Sequence, residues 1–329
     1  RMAVTVKARL PLSRCLGLLL AWGSWGQAGS LRPAPSLTPF LAPVASGGQP
    51  RPTHLVVLAH GLGGTSNDLA RLSRLLSNDR DILTLAVRSN EGRTRDGVSE
   101  GSGRVAREVT AAVAANPSLQ RISFVGNSLG GLYIRHTARL MYERGSFGRG
   151  AKIAGLWPEA FITIASPHLG TRLLPWCPPA LQATVAPFVA GRTASDLFLQ
   201  TRMLSQMTDE SHLIALASFR RRVLFANEGA DLMVQRHTSA LDGEHRGLGR
   251  RERLMASRLR TLSWRTVTVR FPWLPFPIAH NMICGLNRGP VSAFVYRRGL
   301  AVMEEAAETI RASHTQPLQE KPTQENFIA

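Results

Sequence analysis

Residues 121–136 read RISFVGNSLGGLYIRH. A β-forming apolar run leads into a serine flanked by glycines, and a stretch with helical spacing follows. Within it, Gly126-Asn127-Ser128-Leu129-Gly130 fits the pattern G-x-S-x-G. That pattern serves a sharp strand-to-helix turn, which lifts a serine hydroxyl clear of the end of a sheet. The positions two before and two after the serine must lack bulk because the chain doubles back, and Gly126 and Gly130 meet that need. The helix that follows aims its amino-terminal dipole at the hydroxyl and favours negative charge developing there. Five residues alone are a cheap match, so the strand before and the helix after carry the specificity. The plain alternative is a glycine-rich turn that binds nothing.

Working outward, the chain alternates strand and helix patterns from His54 onward. HLVVLAHG (54–61), ILTLAV (82–87), RISFVG (121–126), FITIAS (161–166), RRVLFAN (221–227) and WRTVTVRF (264–271) read as strands. SNDLARLSRLL (66–76) reads as a helix capped by Ser66 or Asn67. GRVAREVTAAVAA (103–115), with Val105, Val109 and Val113 on one face, is a second helix, and GLYIRHTARLMYERG (131–145) a third. Strands separated by helices of about 10–15 residues predict an α/β fold, a mostly parallel sheet covered by helices on both faces.

A serine in such a turn needs electrophilic help, a base and an acid. Upstream, LAHGLGGTSNDL (58–69) leaves the first strand with Gly61 and Gly63 freeing its backbone. The backbone N–H groups of Leu62 and Leu129 are the expected oxyanion donors, and His60 is expected to shape the turn. The loop lacks the GK[ST] ending and the G-x-G-x-x-G spacing of nucleotide-binding loops. For the acid and base the expected chain order is Ser, Asp or Glu, then His. EGADLMVQRHTSAL (228–241) follows a strand and offers Asp231, with Glu228 the second candidate. WRTVTVRFPWLPFPIAHNMI then supplies a strand, a proline-rich loop and His280 just before the closing helix. His237 and His245 are nearer, but no strand separates them from Asp231, and His314 falls in the tail. His168 either lines the site or is a structural histidine in a tight turn, the second being preferred.

Length and composition set the frame. At 329 residues the chain accommodates one α/β unit with additions. Cys15, Cys177 and Cys284 have no metal-ligand spacing and cannot all pair, so neither a metal site nor a disulfide framework is expected. No apolar run reaches the roughly 20 residues of a membrane-spanning helix. The net charge of +18, mostly arginine, suits an anionic surface or simple solvation; no specific nucleic-acid partner is expected. No acid precedes Asp68, and residues 1–51 combine a basic start, CLGLLLAWGSWG and a Pro/Ser/Ala-rich stretch. That segment is expected to be a targeting peptide, for a plastid or another organelle, with the secretory pathway as the alternative. The domain is expected over 52–313, with a helical cap insertion at about 171–219 and a mobile tail over 314–329. FPWLPFP is expected to form a second lip of the site, and the arginines of EHRGLGRRERLMASRLR (244–260) a solvated or lipid-facing basic surface.

VVLAHGLGG, FVGNSLGGLYIRH, TIASPHLGT, VLFANEGADLMVQRHTSAL and AHNMI together resemble a serine esterase family of lipase-like α/β-hydrolases, over about residues 53–300. Asn127 stands where that family more often has histidine, and EGADLMV differs slightly from its usual acid block. The resemblance implies an α/β-hydrolase fold, a triad carried onto Ser128, Asp231 and His280, and action on acyl esters, often of lipids, without cofactor. Peripheral membrane association fits such a substrate. An acyl thioesterase or protein deacylase with the same triad, and a non-catalytic membrane adaptor, are the competing readings.

Overall fold

A computed structural model describes residues 51–145, 150–171, 191–229, 231, 233–271, 279–285 and 297–314. Most of the expected targeting segment, the first part of the cap insertion, nearly all of FPWLPFP and the tail after His314 lie outside the described residues.

Six strands form one parallel sheet: β1 (His54–Ala59), β2 (Ile82–Ala86), β3 (Arg121–Asn127), β4 (Trp157–Ile164), β5 (Arg221–Asn227) and β6 (Arg265–Val269), in the order β2-β1-β3-β4-β5-β6. Each lies where its apolar run predicts it. Side chains alternate across the sheet, so β1 sends Leu55 and Val57 to one face and Val56 and Leu58 to the other. On the first face they meet α2 (Val98–Ala115), α3 (Leu129–Leu140) and α5 (Arg250–Leu259), through residues such as Val105, Leu132 and Leu259. On the second, α1 (Ala70–Leu76) and α6 (Arg297–His314) cover the sheet with Leu72, Leu76, Met303 and Ile310. This is the α/β-hydrolase fold. Strand order reverses at β1, so the carboxyl ends of β1 and β3 border the crevice where open α/β sheets bind ligands.

Three local expectations are corrected. Neither Ser66 nor Asn67 caps the first helix; Thr65 precedes a 3-10 turn, Ser66–Leu69, and the Ser66 N–H is satisfied by Glu91 Oε1 at 2.7 Å. The second helix starts at Val98, earlier than its glycines suggest. Gly101 serves packing there, because a Cβ would lie 2.2 Å from Tyr133 Cε1 on α3. The third helix stops at Leu140, since Tyr142–Glu143 pairs antiparallel with Lys152–Ile153, and the Ala154 N–H reaches Met141 O at 2.9 Å. Pairing with a distant segment overrides the helical pattern.

The described part of the expected cap, 191–219, contains a helix over 191–197, a single turn Met203–Gln206 and α4 (Glu210–Ala217). Asp196 Oδ2 accepts from the Val98 N–H at 2.8 Å, and Leu204, Met207, Leu216 and Phe219 are fully buried in the body of the protein.

At the amino ends of the strands, opposite that crevice, the buried Glu159 carboxylate accepts from Arg121 at 2.8 Å and lies 3.4 Å from Arg220. Glu159→Gln removes the buried negative charge that Arg121 and Arg220 face. A loss of about 3–5 kcal/mol is expected, read as a lower urea midpoint with unchanged slope. A loss below about 1 kcal/mol would contradict this account.

Between α3 and α4, His136 Nδ1 and His212 Nε2 are 2.9 Å apart with stacked rings. Burial first, then Arg135 and Arg139, pushes His136 down to about 4. Burial, then His136 and the same arginines, pushes His212 down to about 3. Both fold neutral, whereas the unfolded chain protonates them near 6.5. The unfolded state therefore binds more protons below about pH 6.5, so this stability is present above that value and lost as pH falls. The Tm is expected to drop from about pH 7 to about pH 4, and to drop less steeply in the His136→Gln/His212→Gln double variant. Parallel Tm curves would count against the pair.

Candidate active site

Ser128 follows directly on β3 with φ 53° and ψ −121°, a left-handed conformation rare for a residue with a side chain. Its N–H donates to Ile164 O at the end of β4, 2.8 Å away, which pins the turn to the neighbouring strand. The two glycines of the motif are required by space. A Cβ on Gly126 would lie 2.5 Å from backbone atoms of Gly130 and Gly131, and one on Gly130 would lie 2.1 Å from Ala59 O. The start of α3 thus rests on the end of β1.

The loop after β1 lies against the serine. A Cβ on Gly61 would stand 3.0 Å from Ser128 Cβ and 3.5 Å from its Oγ. His60 is buried and its Nδ1–H donates to Gly61 O at 3.0 Å, a turn-shaping contact. Gly63, at φ 64°, gives its N–H to Thr94 Oγ1 at 2.9 Å. Leu62 lies between these glycines and packs against Ala194, while Leu129 is the first residue of α3 and is buried. Both positions expected to supply oxyanion donors therefore lie on chain next to Ser128.

The three side chains singled out from separate parts of the sequence meet. His280, in the one-turn helix Ala279–Met282, has Nε2 at 2.9 Å from Ser128 Oγ and Nδ1 at 2.9 Å from Asp231 Oδ2. A carboxylate only accepts, so Nδ1 carries the proton and Nε2 of the neutral ring accepts from the serine. Ser128, Asp231 and His280 are all buried. Among the described residues four donors hold Asp231: Met233 and Val234 N–H groups on Oδ1 at 3.0 and 2.8 Å, and His280 and Asn227 on Oδ2.

Glu228, the second candidate acid, is not part of this group. It forms a two-point pair with Arg270 at the surface, and the hydrogen bond from Arg270 holds its carboxyl below the usual range. His168 is structural. It is buried, with Nε2 at 2.9 Å from Thr163 Oγ1 and Nδ1 at 3.2 Å from Arg135 Nη1, and burial pushes its pKa well down. The segment that follows ties the acid loop in place: the Leu169 N–H donates to Thr238 Oγ1 at 2.8 Å and Thr171 Oγ1 donates to Met233 O at 2.5 Å. Asn227 went unnoticed in the sequence; its one signal is a carboxamide at a strand end, four residues before the acid. Among the described residues no cluster of three or more His, Cys, Asp or Glu is placed to hold a metal ion.

Comparison with known proteins bears on this geometry. The family model described as "Putative serine esterase (DUF676)" matches residues 49–241, more than half of the chain. The chain is similar to "Putative lipase ROG1" of Saccharomyces cerevisiae, 29% identical over 201 residues that cover 57% of this chain and 28% of that protein. It is similarly 29% identical to "Putative lipase C4A8.10" of Schizosaccharomyces pombe over 210 residues, 58% of this chain and 26% of that one. The chain thus spans little more than a quarter of the length of these relatives. A solved structure of Est1E from Butyrivibrio proteoclasticus with ferulic acid bound overlays 81% of this chain and 92% of its own, with a TM-score of 0.49 and 14% identity. By the extent of the family match, the chain belongs to the family described as "Putative serine esterase (DUF676)".

Proposed function

We propose that this chain cleaves acyl esters, with lipids as the preferred substrate class, through an acyl-enzyme on Ser128. The observation that carries the reading is the continuous hydrogen-bonded line from Ser128 Oγ through His280 to Asp231. As Ser128 Oγ attacks the ester carbonyl carbon, His280 Nε2 takes its proton, and Asp231 fixes the tautomer and stabilises the imidazolium. The backbone N–H groups of Leu62 and Leu129 receive the oxyanion. Collapse breaks the carbon–oxygen bond to the alcohol, which leaves with the proton from His280. Water, deprotonated by the same nitrogen, then releases the acid and restores the serine. No step calls on a cofactor.

The lipid preference rests on the family relationship and on charge. In and beside α5 the half-exposed Leu254 is accompanied by exposed Arg246, Arg250, Arg253 and Arg260. Such a basic, partly apolar segment suits an anionic lipid surface and peripheral association with it. Among the described residues no helix is long and apolar enough to cross a membrane.

A fluorophosphonate probe is expected to label the protein at Ser128, with Ser128→Ala abolishing labelling. His280→Ala should lower p-nitrophenyl butyrate turnover by about 10⁴-fold or more, and Asp231→Asn by about 10⁴-fold. Wild-type protein that resists the probe but binds anionic liposomes would point instead to an adaptor. Acyl thioesters turned over far faster than every oxygen ester would move the substrate class to thioesterase or deacylase chemistry. We further propose that residues 1–51 carry an organelle address, plastid first. Fused to a fluorescent reporter they should localise it there; secretory signal would select the alternative, and diffuse cytosolic signal would refute the address.

A further inference from the structure

We infer that Asn227 is a positioning residue for the proposed reaction, locking the orientation of the Asp231–His280 pair; this rests on the reading of Ser128, His280 and Asp231 given above. Asn227 is the last residue of β5 and is 1% exposed. Its Nδ2 donates to Asp231 Oδ2 at 2.7 Å and reaches Ala279 O at 3.3 Å. Both partners can only accept, which fixes the amide with its nitrogen toward them. One side chain on the rigid sheet thereby touches the acid and the residue before His280, although neither lies on the sheet itself.

The arrangement shows what it is for. Asp231 Oδ1 is taken by two backbone N–H groups of its own loop, which fixes where the carboxylate sits but leaves Oδ2 to be aimed. Asn227 and His280 share Oδ2, so the amide sets the direction from which the imidazole is met. The contact to Ala279 O ties the start of the helix carrying His280 to the same point. Among the described residues Asn227 Oδ1 has no hydrogen-bond partner, so the contacts of the amide are those of its Nδ2, to Asp231 and to the residue before His280.

Two substitutions test this. Asn227→Ala is expected to lower kcat for p-nitrophenyl butyrate and the rate of fluorophosphonate labelling by about ten- to hundredfold, the scale of a hydrogen bond to a charged group, with KM unchanged. Asn227→Asp keeps the shape, so it decides the matter should the alanine variant fail to fold. Its carboxyl donates to Asp231 only while protonated and adds negative charge beside His280 once ionised. The imidazolium is then held to higher pH, and the acid limb of kcat/KM should move upward by more than about half a pH unit. A residue that merely braces the loop would lower Tm and leave kcat and the pH profile in place, and that result overturns the inference. Failure of the underlying reading shows elsewhere, as wild-type turnover that survives Ser128→Ala.

Discussion

Holding Ser128 at φ 53° costs on the order of 1–3 kcal/mol, and the surroundings leave it no other choice. In the register of the sheet Ala59 faces Gly126, so the ends of β1 and β3 lie side by side where α3 begins. Backbone then meets backbone: Gly130 rests on Ala59 O, Gly126 on Gly130 and Gly131, and the serine N–H is held by Ile164 O. Gly131 belongs to the same constraint, because a Cβ there would lie 2.0 Å from Ser166 Oγ. Three strands and a helix thus converge on one turn with no side-chain padding. The hydroxyl meets His280 Nε2, and Gly61 on the loop after β1 lies beside it.

What the amino-acid sequence discloses follows from where the physics is local. Parallel strands buried on both faces read as continuous apolar runs, which makes β1, β3, β4 and β5 legible, while the more exposed β6 shows instead as the β-branched alternation RTVTV; the order of strands and loops singles out Ser128, Asp231 and His280 from many similar residues. Choices set by distant partners were not. Gly101 looks like a helix breaker until Tyr133 is placed against it, and Tyr142 looks helical until Ile153 pairs with it. Glu228 and Asp231 are three residues apart and chemically alike; Arg270, reached through another strand, removes one of them from consideration. Asn227 belongs to no periodic pattern, since its meaning lies in two acceptors that the fold brings to it.

Charge is distributed unevenly between the two ends of the sheet and the layer behind it. At the amino ends Glu159 neutralises arginines in a buried pair, a stability device with no access to the crevice. Behind the serine turn, Arg135 on α3 is fully buried near His136, His168 and His212, with no carboxylate paired to it among the described residues, and burial pushes its pKa down to about 9. It remains a cation at neutral pH. Its Nη1 donates to His168 O at 3.3 Å as well as meeting the ring, so it clamps the SPHLGT turn. That turn reaches the acid loop through Thr171 and Thr238, which makes a charge costly to bury part of the scaffold that positions Asp231.

The orientation of that carboxylate is the step on which the proposed chemistry turns. A free aspartate rotates about χ2 and could offer either oxygen to the imidazole at many angles. Here two loop N–H groups claim Oδ1, which fixes the plane of the group, and the Asn227 amide occupies one side of Oδ2. The direction left for a further donor is the one His280 Nδ1 takes, and the opposite nitrogen then faces Ser128 Oγ. Correct tautomer and correct aim are therefore imposed by the same contacts. Reaching that geometry during the reaction requires no rearrangement of the acid, and a preorganised site gains rate by avoiding that cost.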